Sequence, residues 1–267
     1  MRTRYWLGGE GAPLVLVHGL GGAAYNFTAL APLLAERHRV LVPDLPGHGG
    51  TAPLPAVESL GDFGAHVAVV AEHEGLLPAA VVGYSMGGVV GLHLATERPE
   101  SVVALALISS AGIVSLTHRA GVWLDLVSKL RPARFVARAR GAVARRPNLR
   151  AGVFGYWGAE NPRALPPEVV AGFLEAQLEH EDVLSAARAL RNEDPRLYLE
   201  RVGCPALVLW GARDRLIPLE DGIEYARRLR APLRVVPAAG HLVVGEYPQE
   251  CAALLLGFLE TSGSRPV

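Results

Sequence analysis

The 267-residue sequence predicts an α/β protein: a mostly parallel, doubly wound sheet with a helical segment inserted into it. Three observations carry that expectation. Short apolar runs recur along the chain, separated by stretches with helical spacing of Leu, Val, Ala and aromatic residues. The runs are continuously apolar rather than alternating, which suits strands covered on both faces by helices. The strand rhythm then stops between residues 112 and 194, where helical patterns take over.

Taken in order, "TRYWLGG" near the start reads as an antiparallel edge strand. "APLVLVHG" (12 to 19), "RVLVPD" (39 to 44), "AAVVGY" (79 to 84) and "SVVALALIS" (101 to 109) read as buried strands, with "PALVLWG" (205 to 211) and "LRVVPAAG" (233 to 240) completing the set. Helical spacing marks 59 to 75, 86 to 97, 219 to 230 and 248 to 260. The middle segment is broken at Pro132, Pro147, Pro162, Pro166 and Pro167. We therefore expect a core of residues 1–111 and 195–267, with 112–194 as a helical cap between two strands of one sheet. The first part of that cap, 117 to 150, carries nine Arg/Lys against one Asp, and 160 to 200 carries nine Asp/Glu against four Arg. Pairing of the two halves with each other is the simplest reading; a basic surface for an anionic substrate is the other.

Half the residues are apolar, 19% are charged and the formal net charge is zero, a balance that points away from disorder, nucleic acid and anionic membrane as partners. "MRTRYWLGGEG" lacks the apolar core of a signal peptide, and "VVALALISSAGIV" is too short to span a bilayer. Cys204 and Cys251 are too few for a disulfide framework and sit among apolar residues, as structural thiols do. A cytoplasmic protein is expected. No metal-ligand cluster or dinucleotide fingerprint stands out, so no cofactor is expected, and no motif sets an oligomeric state.

Gly83-Tyr84-Ser85-Met86-Gly87 fits G-x-S-x-G, with a strand before it and a helix after it. The turn is so tight that side chains two residues either side of the serine would collide, and glycine removes them. Gly88 lets the helix start close to the neighbouring strand. The turn lifts the Ser85 hydroxyl above the sheet edge, aims the Met86 N–H into the same space, and places a helix N-terminus beneath a reacting carbonyl. A serine hydroxyl needs a base, oriented by a third group. "LVLWGARDRLIP" supplies Asp214 just past a strand end, whereas "ISSAG", after the strand before the cap, offers no carboxylate. Among nine histidines, His241 in "VPAAGHLVVGEYP" sits in a glycine-led loop after the last strand. The order Ser, Asp, His is the one this elbow requires.

His18-Gly19-Leu20-Gly21-Gly22 ends the first buried strand. Its glycines allow close approach of backbone to a substrate oxygen, with the Leu20 N–H as second oxyanion donor beside Met86 and the Gly21 N–H as the alternative. His18 is read as a hydrogen-bonding support for this loop, and His48 in "DLPGHGG" (44 to 50) as structural beneath it.

With these motifs in place the chain resembles the α/β-hydrolase fold superfamily, among its small bacterial serine hydrolases with a helical cap. The resemblance runs from "PLVLVHGLGG" through "PDLPGHG" and "GYSMGG" to "WGARDRLIP" and "AGHLVVGEYP". One departure is that relatives begin with a strand hairpin, whereas only one strand fits before Gly11 here. The serine at the elbow argues against the branches that use aspartate there. The resemblance implies a carboxylesterase acting through an acyl-enzyme on a small-molecule ester. An enol-lactonase is second and a carbon–carbon bond hydrolase third, the latter weakened because Tyr84 and Leu242 stand where those relatives carry Asn and Trp. A non-catalytic ligand-binding member of the fold is the alternative of a different class. Trp123, Phe154 and Trp157, with Tyr156 and Phe173, are candidates to line an apolar acyl pocket; packing within the cap is the competing role for each.

Overall fold

The computed structural model describes residues 1–113, 132–156 and 158–262. Its centre is a seven-stranded sheet in the order β1-β3-β2-β4-β5-β6-β7, with β1 Tyr5–Gly8, β2 Ala12–Val17, β3 His38–Pro43, β4 Ala79–Tyr84, β5 Val102–Ile108, β6 Ala206–Gly211 and β7 Leu233–Val236. β1 pairs antiparallel with β3, Tyr5 opposite Pro43, and every other pairing is parallel. The edge strand expected at the N-terminus is therefore present and antiparallel.

Alternation of side chains along each strand divides the core into two layers. Val15, Val17, Leu41, Val81, Leu105, Leu107, Val208 and Trp210 face one way, against helices Gly61–His73, Met86–Glu97 and Leu219–Leu229. Leu14, Leu16, Val40, Val42, Val82, Ala106, Leu207 and Leu209 face the other, against helices Ala31–Ala35 and Pro248–Ser262. Both faces are covered, which is why these strands read as unbroken apolar runs. Cys251 is fully buried in the second layer, and burial pushes its thiol up to about 12, in keeping with an inert structural role.

β5 and β6 are neighbours, Leu105 beside Ala206, although nearly a hundred residues separate them in sequence. Helices Pro132–Arg138, Arg140–Arg145, Pro147–Phe154, Pro167–Glu179 and Leu184–Arg191 fill that interval and form the inserted cap. Three of the prolines read as breaks, Pro132, Pro147 and Pro167, open helices, where the missing N–H costs nothing. The cap has its own apolar centre of Val143, Phe154, Leu165, Val169, Val170 and Leu174, joined by Leu242 from the loop after β7. Arg140 pairs with Glu175, one instance of the basic half meeting the acidic half. Among the described residues no helix is long and apolar enough to cross a membrane.

Candidate active site

The cap lies over the carboxyl ends of the strands, and the motif residues gather beneath it. This is where open α/β sheets place ligands, because loops there converge from neighbouring strands. Ser85 follows β4, the middle strand, and is the residue before helix Met86–Glu97. Its backbone sits at φ 56°, ψ −123°, a conformation a non-glycine residue adopts only under constraint. The constraint is visible: the Ser85 N–H donates to Ile108 O at 2.9 Å, and Ser85 O accepts from Gly88 N at 3.0 Å and Ala111 N at 3.2 Å.

Glycine is required around it for space. A Cβ on Gly83 would lie 2.3 Å from Gly87 O, and one on Gly87 would lie 2.1 Å from Val17 O. Both obstacles are backbone atoms that cannot move aside cheaply. The elbow is thus wedged between β2 and its own helix.

His241 Nε2 lies 3.2 Å from Ser85 Oγ, and His241 Nδ1 lies 2.8 Å from Asp214 Oδ2. The other oxygen of Asp214 accepts the N–H groups of Leu216 at 2.9 Å and Ile217 at 2.8 Å. Asp214 thus accepts from three sides, with His241 Nδ1 as the donating ring nitrogen and Nε2 left to accept from the serine hydroxyl. The side chains of both residues are almost wholly shielded from water. All three residues singled out from the sequence therefore meet, in the expected order of contact.

The loop carrying His241 is anchored by groups that the sequence did not single out. Tyr84 donates its hydroxyl to His241 O at 3.1 Å, and burial pushes that phenol well above its ordinary range, so it stays a donor. Leu242 N–H donates to Gly158 O of the cap at 2.8 Å. Glu246 accepts from Gly240 N at 2.7 Å with one oxygen and from Glu160 N at 2.8 Å with the other. Burial raises the Glu246 carboxyl above its usual range, against the pull of those N–H donors. Beside the acid, Arg215 reaches Gly155 O at 3.3 Å and Glu160 at 3.1 Å. Gly155, Gly158 and Glu160 of the cap are thus stitched to the acid loop and the base loop.

Opposite the elbow, Gly19 to Gly22 form a tight turn closed by Gly22 N–H to Gly19 O at 3.0 Å. Gly21 has φ +66°, the value a type II turn demands at its third residue. Gly19 comes close to the serine: a Cβ there would lie 2.9 Å from Ser85 Cβ. His18 is fully buried, donates from Nδ1 to Gly19 O at 2.8 Å and accepts Leu45 N–H at Nε2 at 2.9 Å. Burial, with His48 nearby, lowers its pKa to about 3, so it supports the turn as a neutral ring. His48 is likewise buried, with its ring 5.3 Å from that of His18. Among the described residues neither the Leu20 N–H nor the Met86 N–H has an acceptor.

Of the expected pocket residues, Phe154 is 2% exposed and packs edge-on to Phe173 at 6.5 Å within the cap centre. Tyr156 is exposed. Trp123 and Trp157 lie outside the described residues.

Residues 12–248 match the family model described as alpha/beta hydrolase fold. The chain is 30% identical over 267 residues to the pimeloyl-[acyl-carrier protein] methyl ester esterase of Chromobacterium violaceum, covering 95% of this chain and 96% of that protein. It is 32% identical over 277 residues to the dihydrolipoyllysine-residue acetyltransferase component of the acetoin cleaving system of Pseudomonas putida, covering 95% of this chain but 65% of that protein's length. A thermophilic esterase from Thermogutta terrifontis superimposes with a TM-score of 0.80 at 24% identity, over 97% of this chain and 93% of the other. With the motifs, the sheet order and the extent of the match in agreement, this chain belongs to the α/β-hydrolase fold family.

Proposed function

We propose that the protein is a serine hydrolase that cleaves small carboxylic esters through an acyl-enzyme, with Ser85, His241 and Asp214 as its triad. The observation that carries this reading is the unbroken chain from Ser85 Oγ through the His241 ring to Asp214, at 3.2 and 2.8 Å. His241 Nε2 takes the hydroxyl proton as Oγ attacks the ester carbonyl, and Asp214 stabilises the imidazolium. The Leu20 and Met86 N–H groups receive the oxyanion. Loss of one such donor costs about 3–4 kcal/mol of transition-state stabilisation. His241 then returns the proton to the leaving alcohol, and water repeats the sequence to release the acid. Similarity to a methyl ester esterase over nearly the full length of both chains supports an ester over other acyl substrates.

The test is release of p-nitrophenol from acetate through octanoate esters by the native protein and by Ser85→Ala, with lactones assayed beside them. We expect Ser85→Ala to lower kcat by about 10⁶-fold, as loss of a triad nucleophile does. Equal rates for the two proteins would sink the hydrolase reading and leave ligand binding on the same fold.

A further inference from the structure

The turn from Gly19 to Gly22 contains three glycines and therefore has little stiffness of its own. It is nevertheless held at both ends: His18 of the core supports Gly19 O, and the groups that hold Gly21 O come from the cap. Gly21 O accepts the Nε2–H of His180 at 2.8 Å and an N–H of the Gln177 side chain. Gln177 is in the last turns of helix Pro167–Glu179, and His180 follows its end. His180 is buried, and its Nδ1 accepts the N–H of Gly49 at 3.1 Å. With Nδ1 accepting, the ring proton must sit on Nε2, the atom that faces Gly21. One neutral imidazole thus bridges the turn after β2 and the 44–50 turn after β3.

The surrounding contacts fix that imidazole in turn. Gly47 O accepts the N–H groups of Glu181 and Asp182, each at 3.0 Å, so the chain just past His180 is bonded to the 44–50 turn. Gly47 has φ +74°, and a Cβ there would lie 2.2 Å from Asp182 O. Buried Asp44 accepts Ala24 N–H at 2.7 Å, Gly50 N–H at 3.0 Å and Arg4 Nε at 2.7 Å, and Arg4 also pairs with Glu179. The end of the cap helix, the 44–50 turn and the residues just after Gly22 form one hydrogen-bonded block.

We infer that Gln177 and His180 are positioning residues for the oxyanion turn, so that the cap completes the transition-state site rather than merely covering it. The inference rests on the proposed function, in which the Leu20 N–H binds the oxyanion. Gly21 O belongs to the Gly21–Gly22 peptide, whose N–H donates to Gly19 O, the carbonyl of the same peptide that carries the Leu20 N–H. With Gly21 O held from two sides, the Gly21–Gly22 peptide cannot rotate without breaking both bonds. A turn of glycines released from that grip samples orientations that aim the Leu20 N–H elsewhere. Such a loss falls on the transition state more than on the bound ester.

The experiment compares native protein, Ser85→Ala, Gln177→Leu, His180→Phe and His180→Gln. It measures kcat and KM on p-nitrophenyl butyrate, inhibition by an alkyl trifluoromethyl ketone, and melting temperature. The ketone adds the serine oxygen to give an anionic adduct, so its affinity reports the oxyanion site. Gln177→Leu and His180→Phe are expected to lower kcat by about 10- to 100-fold, to weaken the ketone by the same factor, and to leave KM within about twofold. His180→Gln, which keeps one acceptor and one donor, is expected to recover most of that loss. Gln177 is only half-buried, so Gln177→Leu keeps the test open should His180→Phe fold poorly. Folded Gln177→Leu with native kcat and native ketone affinity would overturn the inference, as would a fall in kcat that ketone affinity does not follow. Equal rates for native protein and Ser85→Ala would instead remove the reading beneath it.

Discussion

Two glycine-rich turns face each other across the site, and Gly83 and Gly87 in one and Gly21 in the other are glycine for opposite reasons. The elbow around Ser85 needs glycine because there is no room: backbone atoms occupy the places where the Cβ atoms of Gly83 and Gly87 would lie. The turn around Gly21 needs glycine because of its φ of +66°; a Cβ there meets nothing closer than Gln177 Nε2 at 3.7 Å. The first turn is rigid by packing against the sheet. The second is open at Gly21, where its carbonyl is held by hydrogen bonds from the cap, while His18 supports it at Gly19. A site of this kind has one half built into the core and the other half supplied by the insertion.

Substitutions can break that comparison, and the largest effect is expected within the core-built half. Asp214→Asn keeps the shape but accepts His241 Nδ1–H poorly, so kcat on p-nitrophenyl butyrate should fall by about 10⁴-fold with the melting temperature little changed. A fall of less than tenfold would mean another group orients the imidazole. Next comes Gly87→Ala, whose Cβ would lie 2.1 Å from Val17 O; chemical denaturation should show a loss of about 3 kcal/mol or more.

The helix that starts at the elbow also has a link to the segment by which the cap returns to the core, and it sharpens the contrast. His93 on that helix lies 3.0 Å from Glu193, which also accepts Leu60 N–H at 3.1 Å and the Tyr198 hydroxyl at 2.9 Å. Burial alone lowers the His93 pKa, but its bonds to Glu193 and Glu97 outweigh burial and raise it. Burial raises Glu193, and its bonds to His93, Leu60 and Tyr198 outweigh that and lower it. A raised histidine stabilises fully below its unfolded pKa and loses that contribution as pH rises through the folded value; a lowered carboxyl does so above its unfolded pKa and loses it as pH falls. The pair therefore contributes most between about pH 4.5 and 6.5. Glu193→Gln should lower the melting temperature by about 4 °C at pH 6, and by less at pH 9. A gap that widens toward pH 9 would contradict the charged pair. The smallest effect belongs to the open turn: Gly21→Ala should cost only about 1 kcal/mol, the strain of a left-handed non-glycine residue. A loss equal to that of Gly87→Ala would erase the distinction between the two turns.

This division also explains what could be read from the residues alone. Ser85 and Asp214 directly follow buried strands and His241 sits in the exit loop of the edge strand β7, so chain order and strand pattern place them at the same end of the sheet. The glycines announced both turns. His180, Gln177, Glu246 and Arg215 gave no comparable signal. Their partners are backbone atoms of distant loops, and those contacts depend on where the cap comes to lie, which no local pattern encodes. His180 in "EHED" looks like any polar helix end. The prolines of the insertion read as interruptions because a proline halts a helix and opens one with equal ease. Phe154 illustrates the same limit: an aromatic ring in the cap has the same sequence signature whether it lines a pocket or packs against Phe173.

The stitching of Gly155, Gly158 and Glu160 to the acid and base loops has a practical corollary for engineering. Caps in folds of this kind invite exchange as modules, since the junctions at β5 and β6 are close in space. Here a chimera joined only at those junctions would sever Leu242 from Gly158 O and Glu246 from the Glu160 N–H. A graft that keeps catalytic competence must carry a matching seam along the histidine loop, or import both sides of it together.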